Sequence, residues 1–323
     1  MKKNQKILDI SVYILSFNRP NFLPEALNSI LNQTTKPKEI RIFDNGSTKE
    51  VKSSIISFLK KGVFLEGSMR TKSIFWNLNR TKYRANTKYV YIMHDDDRLC
   101  NDFLEKQIEF LEQNSDIIAL GCNGYLINSK GKRYGILVNS RKRKHIEFFK
   151  SIDDIILLYS SGQCIPFPSI IYQTKYWDKI KLKKQLGPAT DINFLCELVE
   201  LGTIAYQPKL LFEYRIHSNQ GVISEDIHRK LEIYYKKICK NKPLILKDLI
   251  LNLSKAKTRR SLHNWKWVFL EDKSLRSIEF LFFLMNKSWF DWIEFFIFLF
   301  TSLQQIVKLD DQKRKKIIEK LRH

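Results

Sequence analysis

Glycine and proline are scarce in this 323-residue chain, with 11 and 8 copies. Collagen-like and low-complexity architectures are thereby excluded. Cysteine is scarcer still. Cys100, Cys122, Cys164, Cys196 and Cys239 are scattered, odd in number and never in a Cys-x-x-Cys pair. Such a set is neither a disulfide framework nor a zinc-knuckle spacing, and it fits a reducing compartment. No repeat of fixed period is present, which argues against a solenoid or propeller. No stretch offers the roughly 20 nearly uninterrupted apolar residues that a spanning helix needs. The N-terminal MKKNQKILDISV begins basic, but Asp9 breaks its apolar run. It reads as a strand rather than a secretory leader, and a cytoplasmic location is expected. Negative charge is also in short supply, with 34 Asp+Glu against 56 Lys+Arg, a formal net charge of +22.

What is present is a globular composition: 44% hydrophobic and 13% aromatic residues, too apolar for a disordered chain. The length suits one large domain with an appendage, or two domains. The basic excess is densest in the C-terminal third and favours a polyanionic partner such as anionic lipid, nucleic acid or a phosphorylated substrate. Its bland alternative is a Lys-rich solvated surface.

The first half alternates in type. Short apolar runs at 10–17 (ISVYILSF), 39–43 (EIRIF), 89–93 (YVYIM) and 117–120 read as strands. Helical spacing is read at 21–32, 51–59 and 103–111. Residues 130–150 are Lys/Arg-rich and read as a loop or hairpin. Strands are predicted near 169–172 and 204–206, a helix over 191–201 stopped by Gly202, and helix after helix from Ser224. Alternating strands and helices predict a parallel sheet covered on both faces. Ligands gather at the carboxyl ends of such strands. Two acidic clusters, at Asp44 and at Asp95–Asp97, lie just past a predicted strand end.

Three consecutive carboxylates repel one another and raise each other's pKa unless a cation sits among them. Oxygen ligands of this kind suit Mg²⁺ or Mn²⁺ with substrate phosphates completing the shell; a solvated acidic turn is the plain alternative. Within the tail over 278–307, residues 288–307 pair a face rich in Trp and Phe with a polar face, and Lys313–Lys316 follows. That pattern suits the bilayer interface, or else a helical subdomain or oligomer contact burying the same rings.

In four segments the chain resembles glycosyltransferase family 2. Residues 10–33 resemble its opening strand and helix, and 39–48 (EIRIFDNGST) its second strand with a terminal Asp. Residues 89–99 (YVYIMHDDDRL) resemble its metal-binding strand end, and 212–219 (FEYRIHSN) its Tyr-Arg-x-His element. The resemblance implies an α/β GT-A nucleotide-sugar-binding fold, with a Rossmann-like, mixed but mostly parallel sheet. The expected division is a catalytic domain over 1–223 and a helical, basic and aromatic region over 224–323. It implies an inverting, metal-dependent transferase of the bacterial surface-polysaccharide type, using Mn²⁺ or Mg²⁺. The donor would be a nucleotide-sugar, expected to be a UDP-sugar, and the acceptor a glycan or lipid-linked glycan hydroxyl.

Carried onto this sequence, the resemblance places Phe17 against the nucleotide base and Asp44 as its hydrogen-bond acceptor. Asp95 faces the ribose and Asp96 holds the metal if His94 stands where the family has its first Asp. Read as a plain Asp-x-Asp, the pair is instead Asp95 and Asp97. His217 matches a histidine that reaches the metal or diphosphate, or else is structural. A basic or amide residue between the second strand and the acidic cluster is Arg70, Lys72 or Asn77, with Lys72 taken as nucleotide-facing. Pro166–Ser169 resembles a segment lining the acceptor side. The base is expected at Asp191, although the usual Glu before it is replaced by Thr190; an N-cap is the alternative. The basic, aromatic C-terminal region, rather than the resemblance, suggests a peripheral position on the inner face of the cell membrane, and leaves room for an oligomer. No nucleic-acid partner is expected. Competing functions are a non-catalytic membrane scaffold related to the family and, motivated by 141–145 (RKRKH), a nucleic-acid-binding protein.

Overall fold

The computed structural model describes residues 6–138, 143–180, 191–217 and 225–251. The chain divides into compact units at 1–246 and 247–323. In the first, β1 (Ile7–Ser16) leads to α1 (Leu23–Leu31) and β2 (Lys36–Asp44). Then come α2 (Lys49–Ser54), α3 (Ile56–Leu59), β3 (Phe64–Glu66), α4 (Ile74–Asn79), β4 (Tyr89–His94) and β5 (Arg98–Leu99). Helix α5 (Phe103–Gln113) precedes β6 (Ile117–Ile127), β7 (Arg133–Ile136), β8 (Glu147–Phe149), α6 (Ile152–Ser160), β9 (Ile171–Gln173) and α7 (Thr174–Trp177). Helix α8 (Asp191–Val199), β10 (Thr203–Arg215) and α9 (Glu225–Ile238) follow.

One sheet orders the strands β3-β2-β1-β4-β9-β6-β10-β5, with β7 beside β6 and β8 beside β10. The long ladders, β1 with β2, β1 with β4 and β6 with β10, are parallel. The antiparallel pairings span only two or three residue pairs each. Strand β1 is apolar without alternation because it is central and covered on both faces; Ile10, Val12 and Ile14 are fully buried. Helix α1 buries Leu23, Ala26, Leu27 and Ile30, the stripe its 3.6 period dictates. In β1–β2 pairing Ser16 stands opposite Asp44, and in β1–β4 pairing Leu15 stands opposite His94. Three carboxyl strand ends therefore form one rim.

Departures from the sequence reading have local causes. The helix predicted over 51–59 is two short helices meeting at Ile55. There Ser54 Oγ donates back to the Val51 carbonyl at 2.8 Å, a bond that competes with the helix ladder, and two β-branched residues follow. Strand β6 runs far past Leu120 because Gly121 and Gly124 serve close packing rather than a turn. A Cβ at Gly121 would stand 2.4 Å from Ile165 Cγ2, and one at Gly124 2.6 Å from the Phe212 ring. Within the basic stretch β7 forms a hairpin with β6 while β8 pairs with β10, but Arg143 within RKRKH is buried. It pairs with Glu147 at 2.7 Å, and its guanidinium lies 3.6 Å from the centre of the Tyr206 ring. The amphipathic tail and Lys313–Lys316 lie outside the described residues. Among those described, no helix is long and apolar enough to cross a membrane.

Candidate active site at the strand ends

The rim carries two acidic turns of different construction. Asp44 closes β2 and is buried; its carboxylate accepts the Ser47 amide at 3.2–3.3 Å. Asn45 grips the backbone of Lys72 twice, its Nδ2 donating to the carbonyl at 2.9 Å and its Oδ1 accepting the amide at 3.0 Å. Gly46, at φ +80, lets Arg70 and Thr71 lie against the turn; a Cβ would sit 2.7 Å from Arg70 C. Of the three candidates in this segment, Arg70 and Lys72 are exposed. Asn77 is buried and donates to the Phe43 carbonyl at 2.8 Å, a structural task. Phe17, partly exposed, follows the end of β1. Next to it Asn18 adopts φ +50 and accepts the Thr48 amide at 3.0 Å, which stitches the first strand end to the second.

The second turn, Asp95–Asp97, follows β4, and all three side chains are buried. Asp95 accepts the Phe17 amide at 2.9 Å and Arg19 Nη1 at 2.6 Å. The same Arg19 nitrogen stands 3.3 Å from Asp96 Oδ2. That oxygen also meets His217 Nε2 at 3.0 Å. Asp97 Oδ1 accepts the Arg215 amide at 3.0 Å. Asp97 Oδ2 is buried and has no hydrogen-bond partner among the described residues, and it lies 3.7 Å from His94 Nδ1. Ligand atoms of His94, Asp96 and Asp97 all fall within 4.8 Å of one another.

The electrostatics differ residue by residue. Burial pushes Asp95 from 3.8 up to about 6, against the pull of Arg19. Burial and then the Asp96 charge push Asp97 well above the usual carboxylate range. Burial opposes ionisation of Asp96 too, yet the His217 hydrogen bond and the Arg19 charge hold it below its ordinary value. Burial lowers the His94 imidazole from its ordinary value, against the pull of the Asp96 charge. Two carboxylates and an imidazole, with one carboxylate oxygen otherwise orphaned, suit a divalent cation such as Mn²⁺ or Mg²⁺. A bound cation would relieve the repulsion that burial imposes on Asp97.

Asp191 opens α8, whose inner face buries Ile192, Phe194, Leu195, Leu198 and Val199. Phe194 packs edge-on against Phe167 at 5.1 Å, and Phe167 stacks on His94 at 6.2 Å. A continuous row of rings thus connects the helix headed by Asp191 to the acidic turn. Burial, and after it the Asp191 charge, raises the Tyr159 and Tyr172 hydroxyls.

The structure therefore gathers Asp95, Asp96, Asp97 and His217 into one cluster beside Phe17, and sets Asp44 on the neighbouring strand end. Sequence reasoning gave no role to Arg19, Glu25 or Arg215, and treated His94 only as a departure from an Asp. A basic residue two positions past a predicted strand end, facing an acidic cluster on another, was the available signal for Arg19.

A family model described as Glycosyl transferase family 2 matches residues 11–173. A protein of Haemophilus influenzae described as an uncharacterised glycosyltransferase is 29% identical over 219 residues. That alignment covers 65% of this chain and 66% of the relative's length. Staphylococcus aureus TarS in complex with UDP-GlcNAc superposes with a TM-score of 0.55 at 16% identity. The match covers 75% of this chain and 72% of that one. Mannosyltransferase PcManGT from Pyrobaculum calidifontis, in complex with GDP-Man and Mn²⁺, gives a TM-score of 0.54 at 13% identity. It covers 84% of this chain and 78% of that one. The shared architecture is the GT-A arrangement, mixed and mostly parallel.

Proposed function

The chain belongs to glycosyl transferase family 2, and from that premise we propose that it moves a sugar from a nucleotide-sugar to an acceptor hydroxyl, with inversion at the anomeric carbon. The observation that carries the reading is the orphaned, buried Asp97 Oδ2 within the His94, Asp96 and Asp97 group. Asp96 and Asp97, with His94 and His217 beside them, hold Mn²⁺ or Mg²⁺. When bound, the cation neutralises charge that develops on the departing nucleoside diphosphate. Phe17 packs on the base and Asp44 accepts a hydrogen bond from it. Asp95 turns toward the ribose, and Lys72 lies on the segment that faces the nucleotide. Asp191 takes the proton from the acceptor hydroxyl as that oxygen attacks from the face opposite the leaving group. The donor is a UDP-sugar. The acceptor is a glycan or lipid-linked glycan of surface-polysaccharide synthesis, reached at an anionic inner-membrane surface through the C-terminal region.

A screen of nucleotide-sugars, each with and without Mn²⁺, tests this by hydrolysis, transfer and thermal stabilisation. The expected result is stabilisation by one nucleotide class, dependent on the cation. Asp191→Asn is expected to lower turnover by about 10²–10⁴-fold, the usual share of a positioned base, with donor affinity kept. Unchanged turnover in that variant removes Asp191 from the role.

A further inference from the structure

Arg215 is fully buried at the end of β10. A guanidinium withdrawn from water is tolerated only when its donors are met. Here Nε donates to the Asp96 carbonyl at 2.7 Å. Nη1 donates to the carbonyls of Asn128 at 3.2 Å and Ser129 at 3.1 Å. Nη2 donates to Glu25 Oε2 at 2.6 Å. The plane lies 4.6 Å from the centre of the Phe22 ring. One side chain therefore ties together α1, the turn after β6 and the acidic turn. An apolar residue could fill the volume, but it would leave four acceptors on three separate segments without this donor.

The placement follows from strand geometry. Arg215 and His217 are two residues apart, and the ladder continues between them through the Ile216 amide, which donates to the Ile127 carbonyl at 2.8 Å. Residues so spaced face the same side. Arg215 takes the backbone of Asp96, and His217 takes its carboxylate at 3.0 Å. The Arg215 amide donates to Asp97 Oδ1, so Asp97 is held at one oxygen while the other has no partner among the described residues. Any residue but proline at 215 supplies that amide; only the fork of an arginine reaches the peptide of Asp96 and the other anchors together.

We infer that Arg215 is a positioning residue for the cation site. This rests on the reading of Asp96 and Asp97 as cation ligands. Arg215 touches neither cation, donor nor acceptor. It fixes the peptide between the two carboxylates and so sets their affinity for the ion.

The test uses the full chain and three proteins: wild type, Arg215→Lys and Glu25→Gln. Mn²⁺ binding is followed by electron paramagnetic resonance in the presence of UDP and, in parallel, of GDP. Metal-free nucleotide affinity and thermal midpoint are measured alongside. Arg215→Lys is expected to weaken Mn²⁺ binding by about 10- to 100-fold, the usual cost of losing a group that orients metal ligands, with metal-free nucleotide affinity unchanged. Glu25→Gln, at a half-buried position, leaves the contacts to Asp96, Asn128 and Ser129 in place. A smaller loss in the same direction is expected. Wild-type Mn²⁺ affinity in Arg215→Lys overturns the inference, and so does an equal loss of metal-dependent and metal-free nucleotide binding. If Arg215→Lys does not fold, wild-type Mn²⁺ affinity in Glu25→Gln overturns it. Wild-type protein that binds nucleotide with no gain from Mn²⁺ sinks the ligand reading itself, a result separable from a failure at Arg215 alone.

Discussion

Two acidic turns flank the end of β1 on the rim, and they are built in opposite ways. The Asp44 turn is satisfied from nearby, by the Ser47 amide and by the 70–72 segment docked on Asn45 and Gly46. The Asp95–Asp97 turn is satisfied from afar. Its partners Phe17, Arg19, Arg215 and His217 lie 76 to 121 residues away in the chain. A locally closed turn presents a shape. A turn closed by distant charges presents a tuned set of carboxylates, one with an oxygen to spare. The contrast predicts that changes at the second turn alter dependence on metal, while changes at the first alter nucleotide affinity with or without it.

The largest effect is expected at Asp96. Asp96→Ala should reduce turnover by about 10²–10³-fold, on the scale of removing one preorganised charge-stabilising group. Calorimetry should then report the same nucleotide affinity with and without Mn²⁺. A surviving Mn²⁺ response would break the comparison, since the acidic turn would not be the metal-sensing one. Next is Gly46→Ala. With φ at +80 and Arg70 C 2.7 Å from the added Cβ, a loss of about 1–3 kcal/mol is expected from the strained backbone alone. Chemical denaturation measures it, and the Mn²⁺ response should persist. Asn45→Ala removes both bonds to Lys72 and should cost about 1–3 kcal/mol from the two lost hydrogen bonds. It should weaken nucleotide binding equally in the presence and absence of metal; unequal weakening would blur the two turns into one.

The smallest expected effect is on pH dependence. Asp95 titrates near 6 in the folded protein against 3.8 for the free group. The native state therefore binds more protons than the unfolded chain between those values, and this residue's contribution to stability declines as pH rises through that window. Metal-free protein should show a falling thermal midpoint from pH 4 to pH 6, and Asp95→Asn should flatten part of that slope. A slope identical in the variant would locate the titrating group elsewhere.

The same contrast explains what the sequence discloses. Strands β1, β2 and β4 and helices α1 and α5 announce themselves by apolar runs and by 3.6-residue spacing. Both acidic turns are visible because turn residues follow apolar runs. Tyr214–His217 is visible only through likeness to a family, and His217 reaches Asp96 across 121 residues. The charge partners Arg19, Glu25 and Arg215 carry no periodic or local signature; Arg215 and Glu25 are separated by 190 residues and meet only in three dimensions. Glycine misled in β6, where Gly121 and Gly124 answer to neighbouring side chains rather than to a bend. Arg143 misled in the opposite sense, since a basic run reads as solvated until Glu147 and Tyr206 are seen beside it.

Strand β10 spans 13 residues and is laddered to β6 along most of its length, with β8 on its free side at one end and β5 at the other. Phe212 and Glu213 are hemmed in on both edges. Amides in such a position exchange with solvent deuterium only when the whole domain opens. The end of the sheet that carries Arg215 is therefore a stiff rail. The 67–73 segment is held by far fewer bonds, chiefly those to Asp44 and Asn45, and its amides are expected to exchange first.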